Sequence, residues 1–151
     1  SFTAAHKDCP DDPPGTVLDS LYVVAEGFLS WYNAIEYKIV YPPEIIFQED
    51  NTGGLDIGSS GAGIASGWAL PFWEAKPHLI NKVIFIWNCQ GTQDEGIPIT
   101  VVAHPVTGFI RAAEWGTRTF LYAEGMTGWI RASEVPVEST SWGRIKALYS
   151  N

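Results

Sequence analysis

Residues 106–115 are VTGFIRAAEW and residues 126–135 are MTGWIRASEV, so the C-terminal part of the chain contains nearly the same ten-residue sequence twice. Six of the ten aligned positions are identical, namely Thr, Gly, Ile, Arg, Ala and Glu. The offset between the copies is 126 − 106 = 20 residues. Each copy follows a β-rich run, and its Thr-Gly pair is typical of a tight turn. We therefore expect two duplicated hairpins, TVVA–HPVTG–FIRAAEW and FLYA–EGMTG–WIRASEV.

Each copy places an aromatic residue and, two positions later, an arginine on one face of a strand, because alternate strand residues share a face. Aromatic faces suit sugar rings, and an arginine offers planar donors. One interpretation is therefore a duplicated ligand-binding site. The other is scaffolding, with the aromatic rings plugging a barrel end and the arginines lying over them. The candidate ligand-binding residues are Phe109, Arg111, Trp115, Trp129 and Arg131.

The segment from Leu18 to Tyr41 fits two patterns. Five of its apolar residues fall at helical spacing, but its many aromatic and β-branched residues favour strands. Within AIEYKIVY, the residues Ile35, Tyr37 and Ile39 alternate with Glu36 and Lys38. We predict two strands, at about 20–29 and 31–41.

Short strand-like runs separated by turn residues fill most of the remaining chain. They include EIIFQ, the glycine-rich GGLDIGSSGAGIASGWALPFW and KVIFIWNC; the best helix candidate is FWEAKPHLIN, residues 72–81. This pattern predicts an all-β fold with at most one short helix, a closed antiparallel barrel of about eight strands. We assign residues 1–16 to an irregular arm and 17–151 to a single barrel domain.

Composition excludes some classes of function. The net charge of −8 argues against nucleic-acid binding, because neutralising phosphates requires clustered Lys and Arg. No apolar run approaches the ~20 residues of a membrane-spanning helix. The pair Cys9 and Cys89, in a chain that starts at Ser1, favours a processed secreted protein with one disulfide; two free thiols are the alternative.

No motif for catalysis, a metal or a cofactor is present in the sequence. The histidines His6, His78 and His104 form no metal-binding array, and no GxSxG elbow occurs. We expect a protein that is not an enzyme and holds no metal or cofactor. A small hydrolase that uses His104 with Glu114, Glu124 or Glu134 is the third alternative.

The seven tryptophans suggest a surface for binding. Trp68, Phe72 and Trp73 lie beside prolines in GWALPFW, where a loop could expose them as an aromatic patch. Such a patch would suit a sugar, a lipid interface or a protein partner. The acidic net charge would disfavour an anionic membrane near neutral pH.

The order of these landmarks resembles the secreted virulence-associated (Vap) proteins of a rhodococcal pathogen. The resemblance spans roughly residues 22–131 and rests on the stretches GFLSWYNAIEYKI, IIFQEDNTGGLDI, GAGIASGWA, KVIFIWN and ITVVAHPVTGFI. It implies a small closed barrel with one short helix, and a secreted, non-enzymatic protein that acts at host endolysosomal membranes. It carries over no functional residue. The cysteine pair, the Pro/Asp-rich arm and the many tryptophans depart from the family.

The function expected from the sequence is therefore that of a secreted binding or effector protein. Its partner would be a membrane or glycan surface, or a host or target protein. A lectin that uses Phe109 with Arg111 and Trp129 with Arg131 is the leading alternative.

Overall fold

A computed structural model describes residues 2–4, 16–72, 76–88 and 97–130. These residues form strands joined by turns, with no helix among them, so the predicted all-β class is confirmed. The strands are β1 (Phe2–Ala4), β2 (Thr16–Ala25), β3 (Tyr32–Val40), β4 (Ile45–Asn51), β5 (Leu55–Ser59), β6 (Gly63–Phe72), β7 (His78–Asn88), β8 (Ile97–Val102), β9 (Ile110–Glu114), β10 (Phe120–Ala123) and β11 (Thr127–Ile130).

The strands form two antiparallel sheets. The first has four strands in the order β1–β2–β7–β4, and the second has seven. In the second, the order is β10–β9–β3–β6–β5, while β8 also pairs with β3, and β11 pairs with β8. Within the described residues the hydrogen-bonded path does not close into a ring, because no pairing joins the two sheets.

Strand β3 is central to the second sheet, and its alternation agrees with the prediction. Ile35, Tyr37 and Ile39 are buried, whereas Glu36 and Lys38 face the other side. Tyr32 is also buried, three residues before Ile35, because a register shift between Tyr32 and Ala34 interrupts the alternation. Such an irregularity lets one strand place two residues of opposite parity in the same core.

The helix predicted over residues 72–81 is wrong in the described part of that segment. Strand β6 continues to Phe72 and strand β7 begins at His78, while residues 73–75 lie outside the described residues. Pro77 cannot supply the backbone donor that a helix would need there. The residues after it pair with β2 instead, with Leu79 opposite Val24.

The predicted hairpins of the repeat are also wrong in the residues that the structure describes. Strand β8 does not pair with β9; both pair with β3, one after the other, along the same edge. The hairpin that does form joins β9 to β10, and β11 returns to pair with β8. Residues 103–109 thus form a loop that connects β8 and β9, the two strands that pair with the same edge of β3.

The arm predicted over residues 1–16 contains one regular element. Strand β1 pairs with β2, with Phe2 opposite Val23, and Thr16 already belongs to β2. Residues 5–15 lie outside the described residues.

A buried polar network connects the two sheets. Asn81 is fully buried and donates to Asp50 Oδ1 at 2.8 Å and to the Tyr37 hydroxyl at 3.0 Å. Asp50 Oδ2 accepts the Ser60 backbone N–H at 2.7 Å, and Ser60 Oγ lies 2.6 Å from the Tyr41 hydroxyl. Burial raises the pKa of Tyr37, so its hydroxyl stays protonated. The network links β3, β4, β7 and the β5–β6 turn.

Candidate functional site

A groove of about 470 Å³ crosses the face of the second sheet that points away from the core. A groove of this size falls within the range of small-molecule sites in proteins. Strands β5 and β10 bound it on its two sides, and β6, β3 and β9 form its floor.

Two cross-strand rows explain its shape. In the first row the two end residues are large and the three middle ones small; it consists of Leu55, Gly67, Ala34, Ala113 and Phe120. The neighbouring row carries two charges near its centre; it consists of Ile57, Ala65, Glu36, Arg111 and Tyr122. Directly opposed side chains lie ~5 Å apart, so large ends and small centres create a trough.

The wall on the β5 side is aliphatic and open to solvent. Leu55 is 79% exposed and Ile57 is 73% exposed. These two are adjacent same-face positions of an edge strand, so together they form a continuous apolar surface. Isolated exposed apolar residues are ordinary, whereas these two form a contiguous exposed pair along one side of the groove.

Arg111 lies inside the groove, paired with Glu36. Its Nε donates to Glu36 Oε1 at 2.6 Å, and Thr107 Oγ1 donates to the same oxygen at 2.5 Å. The Arg111 guanidinium lies over the Phe120 ring, 3.9 Å from its centroid. Cation–π stacking and a partly buried ion pair therefore hold Arg111 in one orientation.

The remaining candidates of the repeat occupy separate places. Phe109 packs edge-on against Tyr122, with ring centroids 5.1 Å apart. Trp115 lies in the turn after β9, and its backbone N–H donates to the Trp31 carbonyl at 2.8 Å. Trp129 lies on β11 opposite Pro98 and is 54% exposed. Arg131 lies outside the described residues, so the structure does not describe the second aromatic–arginine pair.

Trp68 and Phe72 do not form the exposed aromatic patch expected from the sequence. Both are partly buried against the core and pack edge-to-face, with ring centroids 4.8 Å apart. The Trp68 indole N–H also donates to the Thr52 carbonyl at 3.0 Å. Trp68 lines the groove. Trp73 falls outside the described residues.

Phe72 belongs to an aromatic cluster that closes one end of the core. Its ring packs against Tyr32 at 5.4 Å and His78 at 4.9 Å between centroids, and the Tyr32 hydroxyl lies 3.3 Å from His78 Nδ1. Burial, together with the nearby Lys76 charge, lowers the pKa of His78. His78 is thus a packing residue of this cluster.

Of the hydrolase alternative, His104 and Glu114 lie at opposite ends of β9, and Glu134 lies outside the described residues. His104 precedes β9, and its ring nitrogen Nδ1 accepts the Val106 backbone N–H at 3.3 Å. Glu114 ends β9, at the far end of a five-residue strand. Its carboxylate accepts hydrogen bonds from Ser30 and from Thr117, the latter at 2.7 Å. These bonds lower the pKa of Glu114.

Two further features concern metals and the cysteines. Within the described ranges, no three His, Cys, Asp or Glu side chains are grouped so that they could hold a metal ion. The predicted disulfide between Cys9 and Cys89 falls on residues that the structure does not describe.

Sequence reasoning missed most of the groove. The small residues Ala65, Gly67 and Ala69 stand at alternate positions of one strand, a signal that the sequence contains. Their opposition to Glu36 and Ala34 depends on pairing between distant strands. The partnership of Glu36 with Arg111, 75 residues apart, depends on the same register.

Comparisons with known proteins do not assign the chain to a family. A scan of protein-family models found no match, and searches of curated proteins and of solved structures found none either. Among the described residues, no helix has the length and apolar character needed to cross a membrane.

Proposed function

We propose that this protein is a secreted, non-enzymatic binding or effector protein whose groove takes an apolar chain at a lipid surface. The observation that carries the proposal is the trough itself, with its small-residue floor, its exposed aliphatic wall and its internally paired charges. Secretion, a disulfide between Cys9 and Cys89 and a role at host membranes belong to the same proposal and rest on the sequence and the resemblance to Vap proteins.

The aliphatic wall favours a lipid chain as the ligand. Covering a leucine or isoleucine completely contributes ~1.5–3 kcal/mol, and Leu55 and Ile57 are mostly uncovered. A flexible alkyl chain can lie along the floor of alanines and glycine without requiring a polar partner. An apolar ligand would therefore gain the most binding free energy from this groove, because it would bury the exposed Leu55 and Ile57 side chains.

The same groove suits a sugar poorly. Sugar rings bind by stacking on an open aromatic face, but the Phe120 face already carries the Arg111 guanidinium. The other aromatic lining residue, Trp68, packs against Phe72 and has its indole N–H bonded to Thr52. The groove therefore offers a sugar ring little open aromatic surface for stacking.

Vesicle flotation tests the proposal. Wild-type protein should float with phosphatidylcholine vesicles, and Leu55→Ser should lower the vesicle partition constant about fivefold, since one partly covered leucine contributes ~1 kcal/mol. Leu70→Ser is the matched control, because Leu70 is 77% exposed but does not line the groove. No flotation of the wild type would overturn the proposal. An equal loss with Leu70→Ser would assign binding to general apolar exposure.

A lectin is the second candidate, favoured by one observation. The Trp129 indole is 54% exposed and lies opposite the exposed Pro98, which together offer an open apolar platform outside the groove. A glycan array would test it: binding that one free sugar competes away, and that Trp129→Ala abolishes, would support the lectin. Binding that survives Trp129→Ala would exclude this platform.

The same proposal includes a closed antiparallel barrel of about eight strands. Strand β1 approaches β11 at one junction between the sheets. At the other, the Ser60 backbone N–H donates to Asp50, joining the β5–β6 turn to the end of β4. These contacts support closure around a single core. An experimental structure with the β4 and β5 edges far apart would overturn it.

A further inference from the structure

Glu36 and Arg111 are the two charged residues that line the groove, and they neutralise each other. Glu36 Oε1 already accepts from both Arg111 Nε and Thr107 Oγ1. The side chains are 22% exposed for Arg111 and 16% for Glu36, so water screens the pair only in part. A ligand in the groove therefore contacts a neutral but polar spot.

We infer that this pair makes the groove select chains with an uncharged end and exclude chains that end in a carboxylate; the inference rests on the proposed function. A ligand carboxylate that reached Arg111 would also lie beside Glu36 and be repelled by it. Displacing Glu36 would leave a partly buried charge without its partner, which costs more than a new pair returns. A hydroxyl end meets neither penalty, since it can donate to Glu36 and accept from Arg111.

The net charge of the protein also favours an alkyl chain with an uncharged end, and not a second copy of the protein, as the ligand of the groove. Each copy carries a net charge of −8, so two copies repel each other on approach. A single alkyl chain with a neutral end brings no charge and fits a groove whose charged groups are already matched.

Calorimetric titration with 1-decanol and decanoate tests the inference, because the two probes share one alkyl chain and differ in the charge of its end. At neutral pH the wild type should bind 1-decanol about tenfold more tightly than decanoate, reflecting the like-charge contact with Glu36. Glu36→Gln should strengthen decanoate binding about tenfold and so remove most of the preference for 1-decanol. The glutamine keeps an oxygen for Arg111 and Thr107.

Two control variants separate the groove from other effects. Glu49→Gln removes one negative charge on exposed β4, outside the groove, and should change neither affinity. The double variant Glu36→Gln with Arg111→Gln should lose the gain for decanoate, because that gain requires a guanidinium whose charge no carboxylate neutralises. A gain that persists in the double variant would point to loosening of the groove and overturn the inference.

The outcomes distinguish the two proposals. Equal binding of both probes by the wild type overturns the selectivity and leaves the apolar-chain site standing. Binding of neither probe overturns the site itself. If sedimentation also shows a dimer that Ile57→Asp dissociates, the groove is a self-association surface and both proposals fall.

Discussion

The two copies of the repeat have nearly the same sequence, but the parts that the structure describes in both, residues 106–110 and 126–130, differ in structure. In the first, Val106 to Phe109 form a loop, and β9 begins at Ile110; Gly108 has φ +76°. In the second, Thr127 to Ile130 form the strand β11, and Gly128 pairs with Ile99. The difference shows that this ten-residue pattern does not determine its own conformation.

The residues before each copy account for the difference. Pro105, which lacks a backbone N–H, precedes the first copy, and the loop closes on itself through a Gly108 N–H bond to the His104 carbonyl at 2.8 Å. Gly125 precedes the second copy and lies so close to Val101 that an added Cβ would be 1.8 Å from its carbonyl oxygen. That close approach keeps the chain against β8, so the second copy stays paired.

The largest expected contrast lies in the isoleucine of each copy. Ile130 is 5% exposed in the core, whereas Ile110 is only partly buried. Ile130→Ala should therefore lower the free energy of unfolding by about 3 kcal/mol, and Ile110→Ala by about 1 kcal/mol. Urea unfolding of both variants measures the difference. Equal losses would mean that the two copies are packed alike.

The glycines of the two copies should respond with opposite sign. Gly108→Ala places a side chain at φ +76° and should cost about 1–2 kcal/mol. Gly128→Ala lies in a paired strand, where losing glycine's extra freedom should add about 0.5 kcal/mol. Thermal unfolding of the pair is the measurement. Destabilisation by both variants to the same extent would contradict the contrast.

The repeat also shows what the sequence could and could not predict. The alternation of Ile35, Tyr37 and Ile39 can be predicted from the sequence because a strand's period is local. The pairing of β8 and β9 with the same strand cannot, because it depends on contacts that short-range turn signals do not encode. The helix expected over 72–81 failed for the same reason, since its residues gain more from pairing with β2.

The candidate site shows the same contrast between local patterns, which the sequence predicts, and strand pairing, which it does not. The sequence marks Arg111 as a candidate for ligand binding, but it marks Glu36, its partner, only as a residue on the polar face of a strand. Leu55 and Ile57 carry no sequence signal of a surface groove, because alternating aliphatic residues normally face a core. Their exposure follows from their place at a sheet edge, where the register turns them outward. The shape of a groove on a sheet therefore depends on which residues of neighbouring strands lie side by side, and that is set by the register of pairing.

The smallest expected contrast concerns the acid at the end of the first copy. Hydrogen bonds from Ser30 and Thr117 lower the pKa of Glu114, so its ionised form is favoured in the folded chain. The stability that Glu114 contributes is present above the unfolded pKa and is lost as pH falls through the folded pKa. Glu114→Gln should reduce the acid dependence of unfolding. Glu124→Gln, which removes one carboxylate at an exposed position before the second copy, is the charge-matched control. Carboxyl NMR titration measures Glu114 directly, and a midpoint at or above the ordinary glutamate value would show that these bonds do not favour its charge.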